Sequence, residues 1–431
     1  MNYQEAVDYI NEVPKFTQKA SVEHTQILLK YLGNPEEGLK IIHIAGTNGK
    51  GSTCAYLNAM LMEGGFHVGL FTSPHLVSIN ERIMLDNVPV SDEVFLDAFL
   101  KAKEAWERAA EQENLDHPSY FELTFLLAMI IFKEAGVDYV VMETGLGGRL
   151  DATNSVKAPI ACAIASISRD HTEQLGDTIT LIAKEKAGII KKGIPCIYDA
   201  SNPEAAAVMA DTCEDVGAPG YGITPEMISP VRTDLSGNVF DFTWPGEETR
   251  RLTVHSVGSY QMMNAALAFQ TMRVLKDETG LSEEAMAEGL ANTFWPGRME
   301  TLEEGVIVDG AHNEDGVARF TETVNSLRGD RKVTLLFSAM ADKHYKDMIR
   351  TLSVDVRPDL VITTKVPGYR GEKADAMAAL FRENGLENVI AIEDLPEAFE
   401  TARKMRGDGL LFIVGSLYLA GEIKCLTMKK N

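Results

Sequence analysis

KIIHIAGTNGKGST, Lys40–Thr53, decides the fold. Lys40–Ala45 is an apolar run of strand length, Gly46-Thr47-Asn48-Gly49-Lys50-Gly51-Ser52 is glycine-rich and polar, and Thr53–Glu63 carries a helical pattern closed by Gly64 and Gly65. Such a strand–loop–helix junction offers several backbone N–H groups and a helix N-terminus to phosphate oxygens, and Lys50 adds a point charge. Ser52 or Thr53 stands where a hydroxyl can reach a Mg²⁺ ion. The generic GxxxxGK[ST] pattern is not met, because Lys50 is followed by Gly51 and position 44 is Ile. A glycine-rich turn that merely caps the helix is the competing reading. The strand before and the helix after favour phosphate.

Working outward, three further apolar strands end in polar clusters. His67–Phe71 runs into Thr72-Ser73-Pro74-His75, Val137–Met142 into Glu143-Thr144-Gly145, and Ala161–Ile167 into Ser168-Arg169-Asp170-His171. Strands alternating with helical patterns build a parallel sheet, and ligands bind at the carboxyl ends of its strands. All these clusters therefore belong on one edge. From Ile228 to Val257 the pattern turns alternating and turn-rich, which reads as antiparallel hairpins. Helical patterns follow at Gln261–Leu275 and Glu283–Asn292, then a linker at Trp295-Pro296-Gly297-Arg298. A fresh strand–helix alternation begins after it, with strands at Val306–Val308, Val333–Phe337, Leu360–Thr363, Val389–Ile392 and Leu411–Val414. The expected architecture is α/β: a P-loop-type, mostly parallel sheet with flanking helices and a small antiparallel region in residues 1–296, and a second, smaller Rossmann-like domain in 298–431.

Composition limits the partners. The chain has 431 residues, 45% hydrophobic and 24% charged, which excludes a disordered, collagenous or disulfide-stapled chain. Its net charge of −22 repels nucleic-acid backbones and anionic membrane surfaces, so neither is an expected partner. The five cysteines form no CxxC or Cys/His metal spacing. The N-terminus lacks a signal-peptide pattern and no membrane-spanning window occurs, so the expected location is cytoplasmic. Nothing in the sequence asks for more than a monomer.

Single residues read less sharply. Glu143 closes an apolar strand before Gly145-Leu146-Gly147-Gly148-Arg149-Leu150-Asp151, where an acid can hold a hard cation or simply pair with Arg149. His171 reads equally as a ligand and as a hydrogen-bonded structural residue. Ser73 alone reads as a turn serine. Lys184 and Lys186, by spacing, read as two solvated lysines on a helix. Asp309-Gly310-Ala311-His312-Asn313 reads as a polar strand-end cluster or as a turn with a helix cap.

Together these strings resemble one family closely, the folylpolyglutamate synthases, which include the bifunctional dihydrofolate synthases, within the Mur-ligase superfamily. The likeness runs in order through HIAGTNGKGS, TSPHLVSINERI, SYFELT, METGLGGRLDATN, HTEQLGDT, IAKEKAGII, SYQMMNAALA, WPGRME, VDGAHN and GSLYLAGEI, nearly the whole chain. Thr144 stands where many relatives have Val, and KFTQKASVEH (Lys15–His24) departs from the pterin-contacting loop of the bifunctional members, so dihydropteroate use stays open.

The resemblance implies an ATP-dependent ligase that joins L-glutamate to the γ-carboxylate of a reduced folate through an acyl phosphate. Gly46, Thr47, Asn48, Gly49, Lys50, Gly51 and Ser52 would wrap the ATP phosphates, and Asn264, Arg298 and Asp309 would complete the nucleotide contacts. Ser52, Ser73, Glu143 and His171 would hold Mg²⁺, two ions in all. Lys186 would carry a CO₂-derived carbamate that serves the second ion, and His312 would position phosphate or glutamate. Ser119, Tyr120, Phe121, Glu122, Leu150, Asp151 and Ala152 would lie at the folate end. A Mur-type ligase acting on another carboxylate is the alternative within the superfamily. A nucleotide-binding regulator that ligates nothing is the alternative outside it.

Overall fold

The computed structural model describes residues 1–13, 21–341, 345–367 and 371–428; residues 15–20 of the KFTQKASVEH stretch lie outside them. The chain forms two compact units. The first holds Met1–Ile228, Phe242–Thr249 and Met263–Thr293, and the second holds Ser229–Asp241, Arg250–Met262 and the residues from Phe294 onward.

The first unit is built on an eight-stranded sheet of β1 (Ile41–Ala45), β2 (Val68–Phe71), β3 (Ile83–Leu85), β4 (Val88–Pro89), β5 (Tyr139–Glu143), β6 (Ala161–Ile164), β7 (Cys196–Asp199) and β8 (Gly220–Ile223), in the order β4-β3-β2-β5-β1-β6-β7-β8. From β2 to β8 every neighbour is parallel, and β3 and β4 add an antiparallel edge. The strands read from the sequence are thus the contiguous block β2-β5-β1-β6, and their four polar clusters emerge on one edge. These strands are buried on both faces, which is why each reads as an unbroken apolar run. β6 ends at Ile164, three residues before the expected Ile167. β7 and β8 escaped the sequence reading: β8 is GYGI, and glycines weaken a strand signal. Gly222 is small for a reason, since a Cβ there would lie 2.9 Å from the Tyr198 ring.

Helices cover the sheet: α1 (Tyr3–Glu12), α2 (Val22–Tyr31), α3 (Lys50–Glu63), α4 (Asp92–Glu113), α5 (Tyr120–Ala135), α6 (Thr172–Leu175), α7 (Ile179–Ala187), α8 (Pro203–Val216) and α9 (Gln261–Val274). One apolar cluster joins α1, α2, α4 and α5 to the sheet through Phe71, Phe95, Phe99, Phe125 and Phe132. A second packs α7 and α8 on β6 and β7. α3 is apolar nearly all round because it is covered on the far side by helix Glu283–Ala291; a Cβ on Gly289 of that helix would lie 2.6 Å from Met60 Cα.

In the second unit, β9 (Ile228–Asp234), β10 (Gly237–Phe242) and β11 (Arg250–Val254) form a sheet of three strands on their own. A six-stranded sheet has the order β12-β13-β17-β14-β15-β16, from β12 (Glu300–Glu303), β13 (Val306–Val308), β14 (Val333–Phe337), β15 (Leu360–Thr363), β16 (Val389–Ala391) and β17 (Leu410–Val414). All its neighbours are parallel except the antiparallel edge strand β12. Phe320, Phe337, Phe381 and Phe412 fill the core of this unit.

Candidate active site

The glycine-rich loop is held by the end of β6. Thr47 N–H donates to Ser166 O at 2.8 Å, Thr47 Oγ1 to Ser168 O at 3.1 Å, and Ser166 Oγ to Asn48 O at 3.2 Å. Gly46 has φ +148°, and a Cβ on it would fall 2.8 Å from Ala165 Cβ. Gly49 has φ +89°, and a Cβ on it would meet Asn264 Oδ1 of α9 at 2.3 Å. Both glycines are therefore dictated by backbone shape and close approach. Gly49 in the left-handed region starts α3 at Lys50, three residues earlier than the expected Thr53, so Lys50, Gly51 and Ser52 form its first turn. Helices α1, α2, α4, α5, α7 and α8 each begin with an Asn, Ser or Thr side chain bonded to the first turn, whereas no side chain caps α3. An uncapped N-terminus in a cradle of backbone N–H groups suits an anion.

Beside this loop, β5 delivers Glu143 and β2 delivers Ser73. The buried Glu143 carboxylate accepts the Ser73 N–H at 3.1 Å and lies 3.9 Å from Lys50 Nζ, while Lys50 Nζ donates to Thr47 O at 3.1 Å. Burial, reinforced by the nearby Glu143 charge, pushes the neighbouring Cys54 thiol well above its usual range, which keeps it protonated and inert.

Helix α7 corrects the reading of two solvated lysines. Lys184 is exposed, but Lys186 is buried and its Nζ donates to Gly46 O at 2.7 Å. Positions 184 and 186 face different sides of a helix, and only burial tells which side matters. Gly148 and Gly188 were not singled out from the sequence, yet they let the segment after β5 lie against this turn. A Cβ on Gly148 would be 2.8 Å from Glu185 O, and one on Gly188 would be 2.4 Å from Arg149 Cβ. Arg149 donates from Nε and Nη2 to the same Glu185 oxygen, Oε1, at 3.1 and 2.7 Å, and Asn154 Nδ2 donates to Gly188 O at 3.1 Å.

The remaining expected residues distribute as follows. His171 sits just beyond β6 in the left-handed region with φ +50°, and its N–H donates to Asp170 Oδ1 at 2.8 Å. Arg298, Asp309 and His312 lie in the second unit. The buried Asp309 accepts from Tyr260 Oη at 3.1 Å, Met299 N–H at 2.9 Å and Ala311 N–H at 2.8 Å, so it shapes its own turn. His312 Nδ1 donates to Gly310 O at 2.8 Å, which fixes the proton on that nitrogen.

Of the residues expected at the folate end, Ser119 and Glu122 form a reciprocal capping box at the start of α5, and Glu122 also accepts from His24 Nδ1 at 2.7 Å and Thr25 Oγ1 at 2.8 Å. The Tyr120 ring packs under the Arg82 guanidinium at 5.2 Å. Phe121 lies against the segment that follows Glu143, where a Cβ on Gly145 would sit 2.6 Å from its ring. Leu150 precedes Asp151, whose buried side chain caps a short 3₁₀ turn beginning at Ala152.

A divalent cation suits the donor set here: a buried carboxylate, Glu143, stands next to an uncapped anion-binding loop, with the Ser73 and Ser52 hydroxyl-bearing residues on adjoining segments. Among the described residues no three His, Cys, Asp or Glu side chains cluster as a self-sufficient metal centre. Such an ion would complete its shell with hydroxyl, water or phosphate oxygens.

The chain resembles known proteins over nearly its whole length. Residues 44–272 match the Mur ligase middle domain and residues 297–417 the Mur ligase glutamate ligase domain. A dihydrofolate synthase/folylpolyglutamate synthase of Bacillus subtilis is 35% identical over 98% of both chains. The crystal structure of a folylpolyglutamate synthase from Thermotoga maritima superposes with a TM-score of 0.86 at 32% identity, covering 100% of this chain and 97% of that one. A solved FPGS–AMPPCP–folate complex superposes with a TM-score of 0.82 at 33% identity, covering 98% of this chain and 99% of the other.

Proposed function

Since the chain belongs to the folylpolyglutamate synthase and dihydrofolate synthase family of Mur ligases, ATP-dependent glutamate ligases acting on folate, we propose how its own residues carry that reaction. A carboxylate is a poor acyl donor. ATP phosphorylates the γ-carboxylate of the folate glutamate, the amine of free L-glutamate attacks the acyl phosphate, and phosphate leaves. All three substrates are anions and the protein carries −22, so attraction must be local. Gly46–Ser52 and the N-terminus of α3 receive the polyphosphate. Lys50 offsets charge on the transferring group, where a preorganised cation in a dry site is most effective. Asn264, against Gly49, orients the nucleotide from α9. Arg298, Asp309 and His312 are assigned to nucleotide or glutamate on the family resemblance.

Glu143, Ser73, Ser52 and His171 would hold Mg²⁺, which would supply charge neutralisation of the phosphates. For Lys186 we infer a carbamate. The buried Lys186 amine lies at the base of the phosphate loop, against Gly46 O, where the family resemblance places the carbamate. The neutral amine would add CO₂ and release a proton, and the resulting carboxylate would serve as a ligand for a second Mg²⁺. Phe121 and Leu150–Ala152 border the pterin or folate end. The protein acts as a monomer in the cytoplasm; among the described residues no helix is long and apolar enough to cross a membrane.

One observation carries the reading: Lys186 Nζ, buried, 2.7 Å from the carbonyl of Gly46, the first residue of the phosphate loop. The deciding experiment is phosphate release from ATP with tetrahydrofolate, with and without glutamate. Turnover that requires both supports it, and indifference to both overturns it. Dihydropteroate as the acceptor, assayed in parallel, tests the second activity of the bifunctional members.

A further inference from the structure

His43 lies in the middle of β1, fully buried, three residues before the phosphate loop. The mechanism gives it nothing to do. Its Nε2 is 2.8 Å from Thr153 Oγ1. Thr153 Oγ1 in turn donates to Asp151 Oδ1 at 2.6 Å, and Thr153 N–H donates to the same oxygen at 3.0 Å. The other carboxylate oxygen, Asp151 Oδ2, accepts the Leu146 N–H at 2.8 Å.

With Asp151 ionised, the proton inventory of this hydrogen-bonded chain has one solution. A carboxylate only accepts, so the single hydroxyl proton of Thr153 goes to Asp151. Thr153 Oγ1 must then accept from His43, which places the imidazole proton on Nε2. Nδ1 has no hydrogen-bond partner among the described residues, and no acceptor there holds a second proton on the ring. Burial, with Lys191 adding, lowers the His43 pKa to about 3, so the ring stays neutral across physiological pH. A histidine that never titrates and touches no substrate group acts only through what it holds.

We propose that His43 is a positioning residue for folate: through Thr153 and Asp151 it locks the Gly145–Ala152 segment, the folate end of the site, to the strand that launches the phosphate loop. This rests on the folate assignment of Leu150–Ala152 made above. The bond is direct and both partners are buried, so losing His43 leaves the Thr153 oxygen bonded to Asp151 alone, cuts the tie to β1 and loosens the segment. The nucleotide loop is held separately, by Ser166 and Ser168, and does not depend on it.

The test compares Thr153→Val, which keeps shape and removes the hydroxyl, with His43→Leu, and with His43→Gln, whose amide nitrogen reaches toward the same oxygen. Steady-state constants are measured for tetrahydrofolate and for ATP on the full chain, alongside melting temperature. Thr153→Val and His43→Leu are expected to raise KM for tetrahydrofolate at least about 10-fold while KM for ATP stays within about 2-fold. His43→Gln recovers most of that loss, and the double variant is no worse than the weaker single one. A lowered melting temperature with both KM values unchanged overturns the proposal, and so does an equal rise in both. Should His43→Leu fail to fold, Thr153→Val decides alone. Wild-type turnover that needs no folate would instead overturn the functional reading, a separate result.

Discussion

At the scale of single residues, burial is what separates chemistry from decoration. Lys184 and Lys186 are two positions apart on α7, and only Lys186 enters the interior, where its amine meets Gly46 O at 2.7 Å. Lys186→Ala is expected to abolish ligation while leaving the circular-dichroism spectrum unchanged, and added short carboxylates should restore part of the rate. Near-normal turnover in that variant would refute the carbamate. Lys50, 3.9 Å from Glu143 and bonded to Thr47 O, lies in the loop proposed to receive the polyphosphate. Lys50→Ala should lose at least ~100-fold in kcat/KM for ATP, and a change under about threefold would remove it from the reaction.

At the scale of elements, the loop depends on shapes that only glycine adopts. Gly49→Ala combines a left-handed residue with a collision on Asn264 Oδ1 at 2.3 Å. It should cost about 1–3 kcal/mol of stability and weaken ATP binding, read by chemical denaturation and calorimetric titration. The capping box of α5 is tied to α2 by His24, whose Nδ1 faces Glu122 Oε1 and whose Nε2 faces Asp116 O. Both partners accept, so the ring donates from both nitrogens and is charged. The Glu122 hydrogen bond raises the His24 pKa above its ordinary 6.5 despite burial. Burial alone would raise Glu122, but hydrogen bonds from His24 and the Ser119 N–H outweigh it and hold the carboxyl below its ordinary 4.5. The sign follows from linkage. The His24 contribution is complete below 6.5 and is lost as pH rises through the raised folded value; that of Glu122 is complete above 4.5 and is lost as pH falls through the depressed one. The melting-temperature advantage of wild type over His24→Gln should therefore be greatest between these limits and shrink toward alkaline pH.

At the scale of the whole molecule, ligand binding and folding share one free energy. AMPPCP with Mg²⁺ at 100 times its Kd should add ~2.7 kcal/mol to unfolding, seen as a higher melting temperature, and Lys50→Ala should lose most of that gain at the same ligand concentration. Much of the architecture was legible beforehand, because strands buried on both faces must be continuous apolar runs and the loops after them must be polar. The block β2-β5-β1-β6 is such a case, whereas β7 and β8, short and interrupted by glycine, left no comparable trace. Within the candidate site, Glu143 and the Gly46–Ser52 loop announced themselves by residue type at a strand end. Lys186, the close approaches at Gly148 (to Glu185) and Gly188 (to Arg149), and the His43–Thr153–Asp151 chain did not, since each depends on a partner distant in the sequence, 140 positions away for Lys186 and 110 for His43. Sequence alone determined the alternation of strand and helix, the edge on which ligands gather and the family, because those follow from local pattern and ordered motifs. Tertiary structure alone decided which lysine is buried, which glycines admit a neighbour and which histidine is neutral. Those depend on contacts between distant segments, and hydrogen bonding and desolvation act through distance in space.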